Sequence, residues 1–394
     1  MNRRPAKLLD RLADSAVFAP FDHQPRTRIV FGNNMAERAG ELARQIGVKK
    51  VLLVTDAGVV AAGHAERVRR SLQGARVQTV LFDKVRENPS TRDVGVCLSV
   101  ARAAAIDGFV GLGGGSSLDT AKGCNFLLTN GGRMQDYRGV GKAARAMLPL
   151  IAIPTTAGTG SECQSFALIA DETTHQKMAC GDPKAAARIA ILDPLLTLSQ
   201  PPRVAACTGI DALSHALETA VTRPRNPISL AYSRQAFRLC WSHFPRMLKR
   251  PDDLEARAGM LLGAALAGLA IENSMLGAAH AAANPLSAHF NIVHGQAIGL
   301  MLPHVLRFNG RNPAAARLYA SLDSSNADHL AEKLESLLDL AGLPRSLSQC
   351  GVTHSSIPVL AREAARQWTA AFNPRPVAAA DFARLFEAAW ENTK

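Results

Sequence analysis

Aromatic residues are scarce in this 394-residue chain: 14 Phe, 3 Tyr and 3 Trp make up 5% of it. Any core must therefore be aliphatic and Ala-rich, and the basic residues have few rings to alternate with, as a single-strand nucleic-acid surface requires. Cysteine is equally uninformative as a framework. The seven residues (97, 124, 163, 180, 207, 240, 350) are odd in number and form no CxxC pair, which favours reduced thiols in a cytoplasmic protein. No run of five or more basic residues occurs, although Lys+Arg outnumber Asp+Glu by 45 to 33 for a net charge of +12. Arg67, Arg69, Arg70, Arg102, Arg188, Arg203 and Arg234 are scattered. The excess reads as background with a small allowance for an anionic substrate, because a nucleic-acid binder would need a clustered patch. The longest apolar run, Met260 to Ile271, is too short to span a bilayer and reads as a buried helix. The opening MNRRPAKLLDRLADSAVF carries charges throughout and no signal-peptide core. The expected setting is the cytoplasm, with neither membrane nor nucleic acid as partner.

What is present is length enough for two domains, with 47% hydrophobic and 20% charged residues. From Arg28 to Ile191 short β-branched runs alternate with helical stretches. Strands are predicted at 28–32, 50–55, 77–82, 108–112 and 148–153, with helices at 36–46, 65–72 and 92–105. This alternation predicts a doubly wound, mostly parallel sheet. From Asp193 strand signals vanish, and Ala/Leu-rich periodic segments follow at 204–221, 229–249, 254–271 and 327–341. The expected organisation is an α/β dinucleotide-binding domain over 1–192 and an all-helical domain over 193–394, without internal repeats.

Two loops punctuate the first half. The strand ending at Leu112 runs into Gly113-Gly114-Gly115-Ser116-Ser117-Leu118-Asp119-Thr120-Ala121-Lys122. Three glycines allow close backbone approach, and the following helix aims its N-terminal amides at the turn, an arrangement suited to pyrophosphate. A tight turn without a ligand would look the same. Asp119 and Lys122, three apart, are spaced for an ordinary surface ion pair. The second loop, Pro154 to Glu162, carries three Thr, a Ser and two Gly, which suits hydrogen bonding to ribose or phosphate. Asp56, after the strand at 50–55, serves either as acceptor for an adenosine ribose diol or as a helix N-cap.

The helical half carries the ligand-rich stretches. Asp211 and His215 in Thr208-Gly209-Ile210-Asp211-Ala212-Leu213-Ser214-His215 share one helix face. The stretch AAHAAANPLSAHFNIVHG places His280 and His294 on either side of a predicted turn at Asn284-Pro285. Four of the eleven His (280, 289, 294, 304) fall within 25 residues of apolar sequence, where buried imidazoles need a partner. One carboxylate and three neutral imidazoles suit a divalent ion such as Fe²⁺ or Zn²⁺ with a position left open, although any single His is as well explained by a hydrogen bond in the core.

In order and spacing the chain resembles the iron-containing (group III) alcohol dehydrogenase family from about Arg28 to Val305. The resemblance rests on Asp83 with Asn88-Pro89-Ser90, the GGGSSLDTAK block, Pro154–Glu162, Ile191-Leu192-Asp193-Pro194, Thr208–Glu218, His280–His294 and Leu302-Pro303-His304-Val305. It implies a dehydroquinate synthase-like fold with metal and nicotinamide between the two domains. The implied metal ligands are Asp211, His215, His280 and His294, with Fe²⁺ ahead of Zn²⁺. The implied cofactor contacts are Asp56, Gly114, Gly115, Ser116, Asp119, Thr155, Thr156 and Thr159. Lys177 is implied near the cofactor and Phe166 against the nicotinamide end. Asp56 implies NAD in preference to NADP. Asn284 stands where the family often has a second His; it orients but exchanges no proton near neutral pH, so catalysis would rest on His280 and Asn284. The implied activity is hydride transfer between an alcohol (or aldehyde or ketone) and NAD, by a homo-oligomer of two or more subunits. Alternatives are a reductase of an anionic oxo-acid, of the maleylacetate reductase kind, and a polyol dehydrogenase. Cys163 and His289 are further candidates for the substrate cleft.

Overall fold

The structure, a computed structural model, describes residues 20–174, 176–323 and 325–391. The opening segment MNRRPAKLLDRLADSAVF lies outside them, as do the first residues of the expected α/β domain and the last of the expected helical one.

Six strands form one parallel sheet: β1 (Arg28–Phe31), β2 (Lys50–Val54), β3 (Gln78–Phe82), β4 (Gly108–Gly113), β6 (Leu150–Pro154) and β9 (Ile189–Leu192), in the order β1-β9-β6-β4-β2-β3. Between them run the helices α1 (Ala39–Gln45), α2 (Ala57–Ala61), α3 (His64–Gly74), α4 (Thr91–Ala104) and α5 (Gly115–Asn130). Residues alternate sides along each strand. Val51, Leu53, Val110 and Leu112 pack with Leu42, Val68 and Leu72 on one face. Leu52, Val54 and Phe109 pack with Val94, Leu98 and Leu118 on the other. Both faces are covered, which is why the strands read as apolar runs. Local sequence sets the helix starts: Asp56 accepts from Val59 N ahead of α2, and Ser90 with Asp93 closes a capping box on α4.

The chain steps from β2 to one neighbour, β3, and then to the other side, β4. Ligands in such sheets sit beyond the strand C-termini at this reversal. There the ends of β2, β4 and β6 lie side by side, with Val54 opposite Gly111 and Gly113 opposite Pro154. Beyond β6 a second sheet of β5 (Gly139–Val140), β7 (Phe166–Ala170) and β8 (Lys177–Gly181) runs in the order β5-β8-β7, with β7 and β8 antiparallel. The β7–β8 hairpin and β9 were not separated in the sequence; β7 and β8 hold one β-branched residue between them, Ile169.

After Leu192 the described elements are helical: α6 (Pro202–Thr219), α7 (Pro227–Lys249), α8 (Leu254–Glu272), α9 (Ala278–Phe290), α10 (His294–Gly310), α11 (Pro313–Asp323), α12 (Ala327–Leu340), α13 (Ile357–Arg366) and α14 (Ala379–Trp390), with short 3₁₀ turns between some of them. They enclose one Ala- and Leu-rich core. Helix α8 extends beyond the run read in the sequence. Its 19 residues have the length and apolarity to cross a membrane, yet 67% of its apolar window is buried inside the fold, so it is a core helix here. The expected turn at Asn284-Pro285 is also corrected: both residues lie inside α9, and the chain turns at 291–293 instead. Pro285 forfeits its bond to residue 281, but α9 is buried from Ala278 to Ala283 and again at Pro285 and Leu286. Packing outweighs the lost bond.

Candidate metal centre and cleft

Helix α6 is buried along most of its length, and Asp211, His215 and Glu218 follow one another on one face at i, i+4 and i+7. Across from them stands His280 of α9, and His294 opens α10. Asp211 Oδ1 lies 3.4 Å from His215 Nε2, 3.6 Å from His280 Nε2 and 3.9 Å from His294 Nε2. The two nitrogens of His215 and His280 are 3.1 Å apart. Asp211 Oδ1 is buried and among the described residues has no hydrogen-bond partner. Three imidazole nitrogens thus lie within 3.9 Å of one carboxylate oxygen, and such an arrangement calls for a positive charge between them. The donor set fits a divalent transition ion. Asp211, His215 and His280 present ligand atoms within 4.8 Å of one another, the reach of a metal-ion site.

The electrostatics agree. Burial pushes the Asp211 carboxyl up, but the imidazoles of His215, His280 and His294 outweigh it and hold the group well below the usual carboxylate range. Burial, with Lys177 nearby, pushes His294 down to about 3. His280 goes the other way, to about 9, because Glu218 and Asp211 overcome its burial. Glu218 Oε2 is 2.5 Å from His280 Nδ1, and its Oε1 accepts from Ala279 N. This carboxylate was passed over in the sequence, although its spacing from Asp211 puts it on the same face. It fixes the ring so that Nε2 turns inward.

A cleft opens onto His280 and His294. Phe166, Leu168, Ile271, Met275, Leu276 and Trp368 form its apolar walls, and Lys177, Asn284, Gln367 and Thr369 supply polar groups. Among the described residues no Asp or Glu lines it. Asn284 Nδ2 donates to Gln367 Oε1 at 3.1 Å, and the rings of Phe166 and Trp368 lie 5.9 Å apart. Met275 sits at φ 123°, a strained conformation for a residue with a side chain. The 367–369 turn was not foreseen, because nothing near it in sequence carries a ligand pattern.

The Gly-rich turn joins β4 to α5, whose N-cap, Gly114, provides no side-chain cap, so the first amides of the helix are left for another acceptor. Gly114 and Gly115 face the second loop closely: a Cβ on Gly115 would meet Thr159 at 2.8 Å, and one on Gly114 would meet Thr156 at 3.4 Å. The two loops are thus adjacent walls of one groove. Asp56 is the helix N-cap. One oxygen caps α2, and the other lies 3.4 Å from Ser117 Oγ.

The family model for "Iron-containing alcohol dehydrogenase" matches residues 25–194, and that for "Fe-containing alcohol dehydrogenase family, C-terminal" matches 205–390. The chain belongs to the iron-containing alcohol dehydrogenase family. It is 35% identical to alcohol dehydrogenase 4 of Schizosaccharomyces pombe, over 88% of this chain and 83% of that one. It is 33% identical to the NAD-dependent methanol dehydrogenase of Bacillus methanolicus, over 91% and 97%. A crystal structure of 1,3-propanediol oxidoreductase superposes with a TM-score of 0.90 at 32% identity, covering 94% of this chain and all (100%) of the other. This family member is accordingly an oxidoreductase with the family's α/β and helical halves.

Several side chains lie elsewhere than the sequence suggested. Asp119 and Lys122 do not form a surface pair: both are buried, at 7% and 0% exposure. Asp119 accepts from Ser161 Oγ and Leu168 N, so its carboxylate faces the 161–168 segment. Of the four clustered histidines only His280 and His294 meet. His289 is exposed and pairs with Glu363 at 2.8 Å, and His304 stands apart, pushed by burial to about 4. Cys163 is a core residue at 3% exposure and does not line the cleft. The helix that carries Asp119 and Lys122 is buried all round from Ser117 to Leu127, which the spacing of two charges does not reveal.

Proposed function

We propose that the chain is an NAD-dependent alcohol dehydrogenase whose divalent ion, Fe²⁺ ahead of Zn²⁺, is held by Asp211, His215, His280 and His294. The observation that carries this is the convergence of three imidazole Nε2 atoms on the unpartnered Asp211 Oδ1 at the edge of the cleft. A bound ion of this kind supplies Lewis acidity, stabilising negative charge on a substrate oxygen. The nicotinamide supplies hydride exchange with the carbon that bears that oxygen.

The chain's own residues provide the rest. Glu218 keeps the His280 ring turned with Nε2 inward. The backbone of Gly114, Gly115 and Ser116 receives the pyrophosphate, with Thr155, Thr156 and Thr159 opposite. Asp56 offers its second oxygen, the one beside Ser117 Oγ, to the ribose diol, which favours NAD over NADP. Asp119 stands behind this wall rather than on the ligand. Phe166 and Lys177 bound the nicotinamide end and exclude water. Asn284 orients the substrate and holds no exchangeable proton near neutrality, so the alcohol proton leaves through water or a ribose hydroxyl.

The narrow apolar walls suit a short carbon chain. The Asn284–Gln367 bond leaves one amide oxygen and one NH₂ free, which favours a second hydroxyl on the substrate. A second reading, reduction of a small anionic oxo-acid, is favoured by Lys177 and the absence of carboxylates along the described cleft. The test is NADH formation from a panel of short alcohols, diols and hydroxy acids, with NAD and with NADP, before and after chelation. Activity is expected to vanish on chelation and return with Fe²⁺ or Zn²⁺; undiminished turnover in a preparation verified as metal-free sinks the reading.

A further inference from the structure

We propose that Lys122 is a positioning residue whose buried ammonium serves as a tethered monovalent cation, fixing the cleft wall that carries Gln164, Phe166 and Leu168. The inference rests on the proposed dehydrogenase reading only for its kinetic consequence.

Lys122 projects from α5 and is 0% exposed, a rare state for lysine. Its Nζ lies 2.6 Å from Ser161 O, 2.9 Å from Ser161 Oγ, 2.8 Å from Gln164 O and 2.9 Å from Phe166 O. The Ser161 hydroxyl gives its own hydrogen to Asp119 Oδ1 at 2.6 Å. Only its lone pairs then face Nζ, so all four oxygens act as acceptors. A neutral amine has two N–H groups and a lone pair that would point at oxygen; an ammonium has three N–H groups and no lone pair. The cage therefore selects the charged form. Burial works against that charge, and Asp119, Glu272 and Glu162 work for it.

The same contacts make a closed path. Lys122 binds Ser161, Ser161 binds Asp119, and Asp119 Oδ2 takes the amide of Leu168 at 3.1 Å. Helix α5, which begins at the Gly-rich turn, is thereby locked to the segment whose side chains wall the cleft. Volume alone would not do this, because removing the cation leaves carbonyls facing one another in a dry site.

Two substitutions separate charge from volume. Lys122→Met keeps the stem and loses the charge, and is expected to raise the alcohol KM roughly tenfold, with a smaller effect on kcat, and to shift Trp368 emission. Lys122→Ala loses both and leaves room for a small cation. Added n-propylammonium is expected to restore its KM, Trp368 emission and Tm saturably, while Lys122→Met stays unresponsive. Wild-type KM and emission in Lys122→Met, or a folded Lys122→Ala indifferent to n-propylammonium, overturns the proposal. A third measurement needs no variant. In ¹⁵N-lysine-labelled wild type, a slowly exchanging ammonium resonance lost in either variant, or one remaining after reductive methylation of surface lysines, supports it; a neutral amine overturns it. Should the wild type prove inactive as a dehydrogenase, the function fails, while the emission, Tm and ¹⁵N arms still decide the role of Lys122.

Discussion

His280 presents one nitrogen to Glu218 and the other to Asp211, so the Glu218 contact decides which lone pair faces the centre. Glu218→Gln keeps an acceptor, whereas Glu218→Leu removes it and also strips Ala279 N of its partner. Competition against a chromophoric chelator should show Fe²⁺ or Zn²⁺ affinity falling by about 10–100-fold in Glu218→Leu and by less in Glu218→Gln; wild-type affinity in both would remove Glu218 from the site. A second residue sets a pH dependence away from the centre. Glu162 is 2% exposed, its Oε1 has no partner among the described residues, and burial pushes its carboxyl up to about 7. The folded state therefore holds this proton more tightly than the unfolded chain does. Its contribution is fully present at acid pH, declines as pH rises from the ordinary carboxylate range to about 7, and is flat above. Glu162→Gln should flatten that slope and gain up to about 3 kcal/mol above pH 7, read by denaturant unfolding across pH; parallel pH profiles would refute it. Asp211 and His215 were legible as a pair because helix spacing alone puts them together. Lys122 was not, since lysines are nearly always exposed and its cage comes from a loop some forty residues on.

At the scale of elements, the loop after β6 and helix α8 touch through two glycines. Gly160 adopts φ +61°, and a Cβ there would meet Ala264 O at 2.6 Å; a Cβ on Gly268 would meet Gly160 O at 2.3 Å. Backbone faces backbone, so no side chain can yield. Gly268→Ala is expected to cost at least about 2 kcal/mol, more than the few tenths an exposed helical Gly→Ala gains, and to raise the KM for NAD because Thr159 sits beside the contact. Equilibrium unfolding and kinetics check the two effects; a stabilised variant would show that the helix and loop are not in contact. All of the parallel sheet but β9 could be read in advance from its apolar, β-branched runs, and the longest helices from their periodicity. The β7–β8 hairpin and the interior of α9 could not, as the hairpin strands are poor in β-branched residues and Asn-Pro signals a turn unless surrounding burial overrides it. That error matters, because the helix keeps Asn284 one turn from His280 on a shared face.

Across the whole molecule the proposed centre is assembled from three helices, α6, α9 and α10, which carry Asp211, His215, His280 and His294. No one of them holds the site, so ligand convergence depends on the helical core being packed, and an ion that binds the convergence must stabilise that packing in return. Both halves and the Asp211, His215 and His280 cluster were readable in the sequence. The cleft's far wall at 367–369 was hidden, because it meets α9 through tertiary contact alone. The linkage can be measured without any substrate. At a free-ion concentration of 100 times Kd, Fe²⁺ or Zn²⁺ should add about 2.7 kcal/mol to the stability of metal-free protein, a rise of several degrees in Tm. His294→Ala should shrink the increment, since it withdraws the ligand contributed by α10. His289→Ala should leave it intact, since that side chain is exposed and pairs with Glu363. An equal increment in all three proteins would mean that the ion binds elsewhere, and the convergence at Asp211 would then have to be explained by protons alone.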